Sequence, residues 1–141
     1  MLVIACLQLK QIERIPFENP TEQDVFAIEN SEEALEIMVK KNCYDCHSNQ
    51  IKYPWYSSIA PVSWFVQDHI DDGRKHMNFS VWGTYSAEKK AHKAEEGYEE
   101  VEEGEMPLES YAFIHRHANL SEEERALIVD WFSSLETKYK N

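Results

Sequence analysis

At 141 residues, 43% of them hydrophobic and 28% charged, the chain is long enough to form one core without disulfide staples and too apolar to stay unfolded. Its formal net charge of −12 sets it against nucleic-acid backbones and anionic membrane surfaces and suits a cationic partner. Four glycines and five prolines leave little punctuation, so long helices are expected ahead of many short strands, and three cysteines are too few for a disulfide scaffold.

Leu2 to Leu9 is apolar except for Gln8, but a membrane span needs about 20 such residues. The stretch lacks the basic lead of a secretory signal. It reads best as a truncated anchor or signal, with a lipidated Cys6 after Val3-Ile4-Ala5 and a packed terminal segment as the other readings. Gln11 to Glu29 reads as an irregular lead-in broken by Pro16, Asn19 and Pro20. Asn30 is then expected to cap a helix, with Glu33 completing a capping box. Leu35, Met38, Val39 and Asn42 follow at helical spacing and lead into Cys43-Tyr44-Asp45-Cys46-His47.

This C-x-x-C-H run places two thiols one helical turn apart with an imidazole directly after, a pattern suited to covalent haem attachment. Each sulfur can bond one former vinyl group of the porphyrin, and His47 can reach the iron from the same side. Two other chemistries compete. A structural zinc site needs four ligands, and His115 with His117 is a poorly spaced second pair. A thioredoxin-like redox pair needs a βαβ setting that the chain does not show.

Beyond the motif, Ser48 to Ala60 is an aromatic loop with Tyr53, Trp55 and Tyr56 around Pro54, suited to walling one edge of a macrocycle. Pro61 suits a first helical turn, and Val62, Phe65, Val66, His69 and Ile70 make an amphipathic stripe that Gly73 is expected to stop. Asn78 to Gly83 reads as a turn anchored by Phe79 and Trp82. A helix is expected from about Ser86 to Glu103, with Ala87, Ala91, Ala94, Tyr98 and Val101 on a narrow stripe. From Glu95 to Glu105 there are seven glutamates, a solvated face in the plain reading and a docking surface in the sharper one.

Gly104 ends that helix and Met106-Pro107 follows. A methionine in a proline-fixed loop is the leading candidate for a sixth iron ligand, since a thioether raises the haem potential. Met77, Met38 and Met1 are the other sulfur candidates; His69, His76, His92, His115 and His117 would instead give bis-histidine ligation. Ser121 and Glu124 form a capping box for a closing helix with Leu127, Ile128, Trp131 and Leu135 on its apolar face.

The C-x-x-C-H helix, the methionine-proline loop and the closing helix resemble class I c-type cytochromes. More closely, Cys43 to Asn49, Pro54-Trp55-Tyr56, Ala60-Pro61-Val62-Ser63-Trp64, Asn78-Phe79-Ser80 and Gly104-Glu105-Met106-Pro107-Leu108 resemble the bacterial haem-binding domain family of cell-envelope proteins, over about residues 12 to 136. The resemblance implies covalent haem c, a cytochrome c-like helical fold and export to the periplasm or cell envelope, commonly behind an N-terminal membrane anchor.

The expected architecture is all-α: a lead-in over residues 1–29, then a haem domain over 30–141, with the Cys43 helix crossing the C-terminal helix around Trp131. Cys43, Cys46, His47 and Met106 are the expected haem-binding residues, the last two on the iron. The expected role is one-electron transfer to a redox partner protein with a basic docking face, without enzymatic activity. A haem-based sensor or peroxidase-like module with a labile sixth ligand is the alternative.

Overall fold

The structure is a computed structural model that describes residues 7–141; Met1 and Cys6, and most of the apolar Leu2–Leu9 stretch, lie outside the described residues. The described residues contain helices and no strand. From Val25 on, the α-helices run in order: α1 (Val25–Ile28), α2 (Glu33–His47), α3 (Val62–His76), α4 (Ala87–Glu102), α5 (Glu109–Ile114) and α6 (Glu122–Lys140). Short 3₁₀ turns at Trp55–Ser58, Phe79–Thr84 and Arg116–Ala118 link them.

The two longest helices, α4 and α6, form the most extensive packing in the molecule. Their approach is set by Gly97, where a Cβ would lie 2.7 Å from the Phe132 ring. Small residues on the α4 stripe, with Ala91 and Ala94 buried, let the helix lie close to Ile128, Phe132 and Leu135. Ser86 caps α4 by accepting from the Lys89 amide, and Ser121 and Glu124 form the expected capping box on α6. Gly104, at φ +83°, takes the left-handed turn that ends α4 and starts the Met106 loop.

The motif helix contacts α6 directly, as expected, although the closing helix lies chiefly along α4. An aromatic relay around Trp131 adds to that contact. Tyr44 stacks on Phe79 at 5.3 Å, Phe79 lies 6.2 Å from Trp131, and Trp131 stacks on Phe26 at 5.4 Å. Phe79 and Trp82 are both fully buried, as their place in the turn predicts.

Three local expectations are corrected. Asn30 does not cap α2; the helix starts at Glu33 after Glu32, which makes no side-chain cap. Gly73 does not stop α3, which continues to His76. The lead-in is not wholly irregular, because Asp24 accepts from the Phe26 amide and opens α1. The buried Asp24 carboxylate also accepts from the Tyr44 hydroxyl at 2.9 Å and the Gln50 amide at 2.9 Å, so its three partners join α1, α2 and the loop after the motif. Upstream, residues 8 to 18 lie along the aromatic loop: Gln8 exchanges two hydrogen bonds with Ala60, Trp64 donates to Lys10, and the Glu18 amide donates to Asn49.

Glu29, only 3% exposed, ties the two ends of the fold together. It accepts from Trp82 Nε1 at 2.9 Å, Lys138 Nζ at 2.6 Å and the Tyr139 hydroxyl. Burial pushes its pKa up, but these three hydrogen bonds outweigh burial and hold it below the ordinary carboxylate value. A carboxyl lowered on folding contributes stability in full above its unfolded pKa of about 4.3, and that contribution is lost as pH falls through the folded value. Glu29→Gln is therefore expected to lower the urea unfolding free energy by about 2 kcal/mol at pH 7, and by much less near about pH 3. Parent-like stability of the variant at pH 7 would contradict this assignment.

Candidate haem site

The motif occupies the last turn of α2, so Cys43, Cys46 and His47 share the side of the helix formed by positions i, i+3 and i+4. The two cysteines are not joined to each other in a disulfide and are half-buried. Burial pushes the Cys43 thiol up to about 12 and the Cys46 thiol to about 11. Deep placement combined with residual accessible surface marks side chains that border a slot rather than fill a core.

His47 is aimed by the end of α3. Its Nδ1 lies 3.1 Å from the Met77 carbonyl, and a carbonyl can only accept, so in the neutral ring the proton is on Nδ1 and Nε2 is the unprotonated nitrogen. Burial is the largest influence on the ring and lowers its pKa, favouring the neutral, ligating form. Gly73 makes this placement sterically feasible: a Cβ there would lie 2.8 Å from the Cys46 carbonyl oxygen. The residue read from sequence as a helix stop is a close-approach glycine that seats α3 on the motif.

Beside Cys46 opens an apolar cleft. One wall is the α3 stripe of Val62, Phe65, Val66, His69 and Ile70; the other is Leu108, Tyr111 and Ile114 on and just before α5; Ile51, Pro54 and Tyr56 close a third side. The expected stripe and aromatic loop thus come together at the motif. Of the expected haem-binding residues only Cys46 lines this cleft; Cys43, His47 and Met106 are not among its lining residues.

Met106 is half-buried and packs against the hydrophobic core, as Cys43 also does. Its backbone is fixed on both sides. Its amide donates to the Glu100 carbonyl at 3.0 Å, and its carbonyl accepts from Arg125 Nη1 at 2.9 Å, a guanidinium nitrogen that also reaches Val101. Met77 is buried in the core, with its carbonyl given to His47. His69 lies on the α3 wall of the cleft, with Nδ1 on the Phe65 carbonyl at 2.6 Å. His92 pairs with Glu96 on α4, away from the cleft. His115 is engaged with the Tyr56 hydroxyl at 2.6 Å.

Among the described residues no three His, Cys, Asp or Glu side chains converge as a metal cluster, so Cys43 and Cys46 do not meet His115 and His117 as a zinc site. The donor set present fits haem instead: two free thiols on one helix face, an imidazole unprotonated at Nε2, and an apolar cleft beside Cys46. Sequence reasoning did not find the cross-cleft pairs Asp45–Tyr111 and Tyr56–His115, because partners 66 and 59 residues apart leave no local periodicity.

With thiol pKa values near 11 and 12, the haem-free protein at pH 8 should hold Cys46 as thiolate in about one molecule in a thousand, and Cys43 in fewer. Iodoacetamide should therefore alkylate the native reduced protein roughly a hundredfold more slowly than the urea-unfolded chain. Equal rates, followed by mass spectrometry, would contradict the burial described.

No curated protein and no solved structure matches the chain. The haem-binding domain family matches residues 2–134, nearly its whole length. The all-helical fold, the carbonyl-held imidazole and that match agree, and the chain belongs to the haem-binding domain family.

Proposed function

We propose that this protein carries haem c through Cys43 and Cys46, with His47 as the proximal iron ligand and Met106 as the sixth, and serves as a one-electron carrier. Bound haem supplies a ferric/ferrous couple. The observation that carries the reading is the His47–Met77 hydrogen bond beside two unpaired thiols, which leaves one ring nitrogen ready for the iron. Cys43 and Cys46 would hold the porphyrin as thioethers, each S–H adding across one vinyl double bond with no external oxidant or reductant.

The chain's own residues then set the environment. Met77 and Gly73 keep the imidazole oriented, the α3 stripe and α5 exclude water from the macrocycle faces, and Arg125 holds the Met106 loop against α4. The location we infer is the periplasm or cell envelope. No helix among the described residues is long and apolar enough to cross a membrane, so the reading does not rest on a span within them.

Two measurements test this reading. Met106→Ala, matured with covalent haem, should lose the methionine–iron charge-transfer band and bind carbon monoxide faster than the parent. An unchanged spectrum would remove Met106 from the iron, and rapid carbon monoxide binding by the parent itself would favour the sensor or peroxidase-like reading. For the partner, Glu99, Glu100, Glu102 and Glu103 stand exposed at the end of α4, suiting a basic docking face. Neutralising all four should flatten the salt dependence of electron transfer to a cationic redox protein. An unaltered salt slope would count against docking there.

A further inference from the structure

The wall of the cleft that faces the α3 stripe is a six-residue helix, too short to hold itself in place, and its two ends are secured differently. At its start, Arg125 and the Glu100 carbonyl fix the backbone of Met106. At its end, side chains do the work. Tyr111 donates to Asp45 Oδ2 at 2.9 Å, spanning from α5 to the spacer between the two cysteines. The Tyr56 hydroxyl and His115 Nε2 are hydrogen-bonded at 2.6 Å, joining the aromatic loop to the residue that ends α5. The Tyr111 and His115 rings stack at 4.3 Å with 16° between their planes, so the two bonds behave as one unit. Asp45, Tyr56 and Tyr111 all line the cleft.

We propose that Asp45, Tyr56, Tyr111 and His115 form a clasp across the cleft, and that they are positioning residues for the sixth iron ligand. The clasp connects the haem-attachment turn directly to the segment that follows Met106, so it would set how firmly the Met106 loop is held once haem is bound. Fastened, it favours a saturated iron and electron transfer; loosened, it admits exogenous ligands. The inference rests on the haem c reading above and deepens it, because the clasp decides between the carrier and the sensor-like modes of one site.

The test uses the covalently loaded protein and follows imidazole binding to the ferric form by stopped flow, with the methionine–iron band recorded alongside. Tyr111→Phe keeps the ring stack and removes only the bond to a carboxylate, so binding should speed up about tenfold; Tyr56→Phe should give about fivefold, and the pair more than either. Asp45→Asn retains an acceptor oxygen and should stay within about twofold of the parent, whereas Asp45→Ala should match Tyr111→Phe. Thermal melting will show whether each variant is folded, and Tyr→Phe changes are mild enough to keep the comparison valid. Covalent haem with unchanged rate and band in Tyr56→Phe/Tyr111→Phe overturns the clasp alone. Absence of covalent haem in the parent overturns the clasp together with the reading beneath it.

Discussion

The hydrogen bond from His47 Nδ1 to the Met77 carbonyl is the contact on which the site depends. It fixes the tautomer and rotation of the imidazole, and it requires the end of α3 to lie against the end of α2. That approach exists because position 73 has no side chain; any Cβ would strike the Cys46 carbonyl. Once α3 is seated there, its apolar stripe necessarily faces the space beside Cys46. One backbone carbonyl and one glycine therefore aim the imidazole and raise the first wall of the cleft together.

The remaining architecture keeps that pair of helices in register with the opposite wall. Asp24 binds Tyr44 and Gln50 on either side of the motif, and the Tyr44–Phe79–Trp131 relay connects the motif helix to the closing helix. Glu29 gathers Trp82, Lys138 and Tyr139, so the early chain and the C-terminus brace the α4–α6 pair. The Met106 loop hangs from this pair through Arg125. Both buried carboxylates act as multi-partner acceptors, the arrangement in which a buried charge is tolerated.

Much of this was legible in the sequence where the signal was local. Helical spacing placed the α3 stripe and the α6 face, and Ser121 with Glu124 announced a capping box. Signals that depend on tertiary contact read differently. Gly73 looks like a helix stop because sequence shows a missing side chain but not the carbonyl that needs its absence. Asn30 looks like a cap, yet the helix begins later at Glu33. The length of α4 obscured its role as the chief partner of α6, since only Gly97 under the Phe132 ring reveals how closely they pack. The Asp45–Tyr111 and Tyr56–His115 pairs join segments that only folding brings together.

The central claim is that the two thiols of the motif hold haem covalently. Its most direct test is the mass of the proteolytic peptide containing residues 43 to 47, from protein expressed with a c-type maturation system and denatured to strip non-covalent ligand. The account predicts a peptide heavier by one haem, lost when Cys43 and Cys46 are both replaced by serine. An unmodified peptide from the parent, or haem that survives denaturation in the double serine variant, would contradict it.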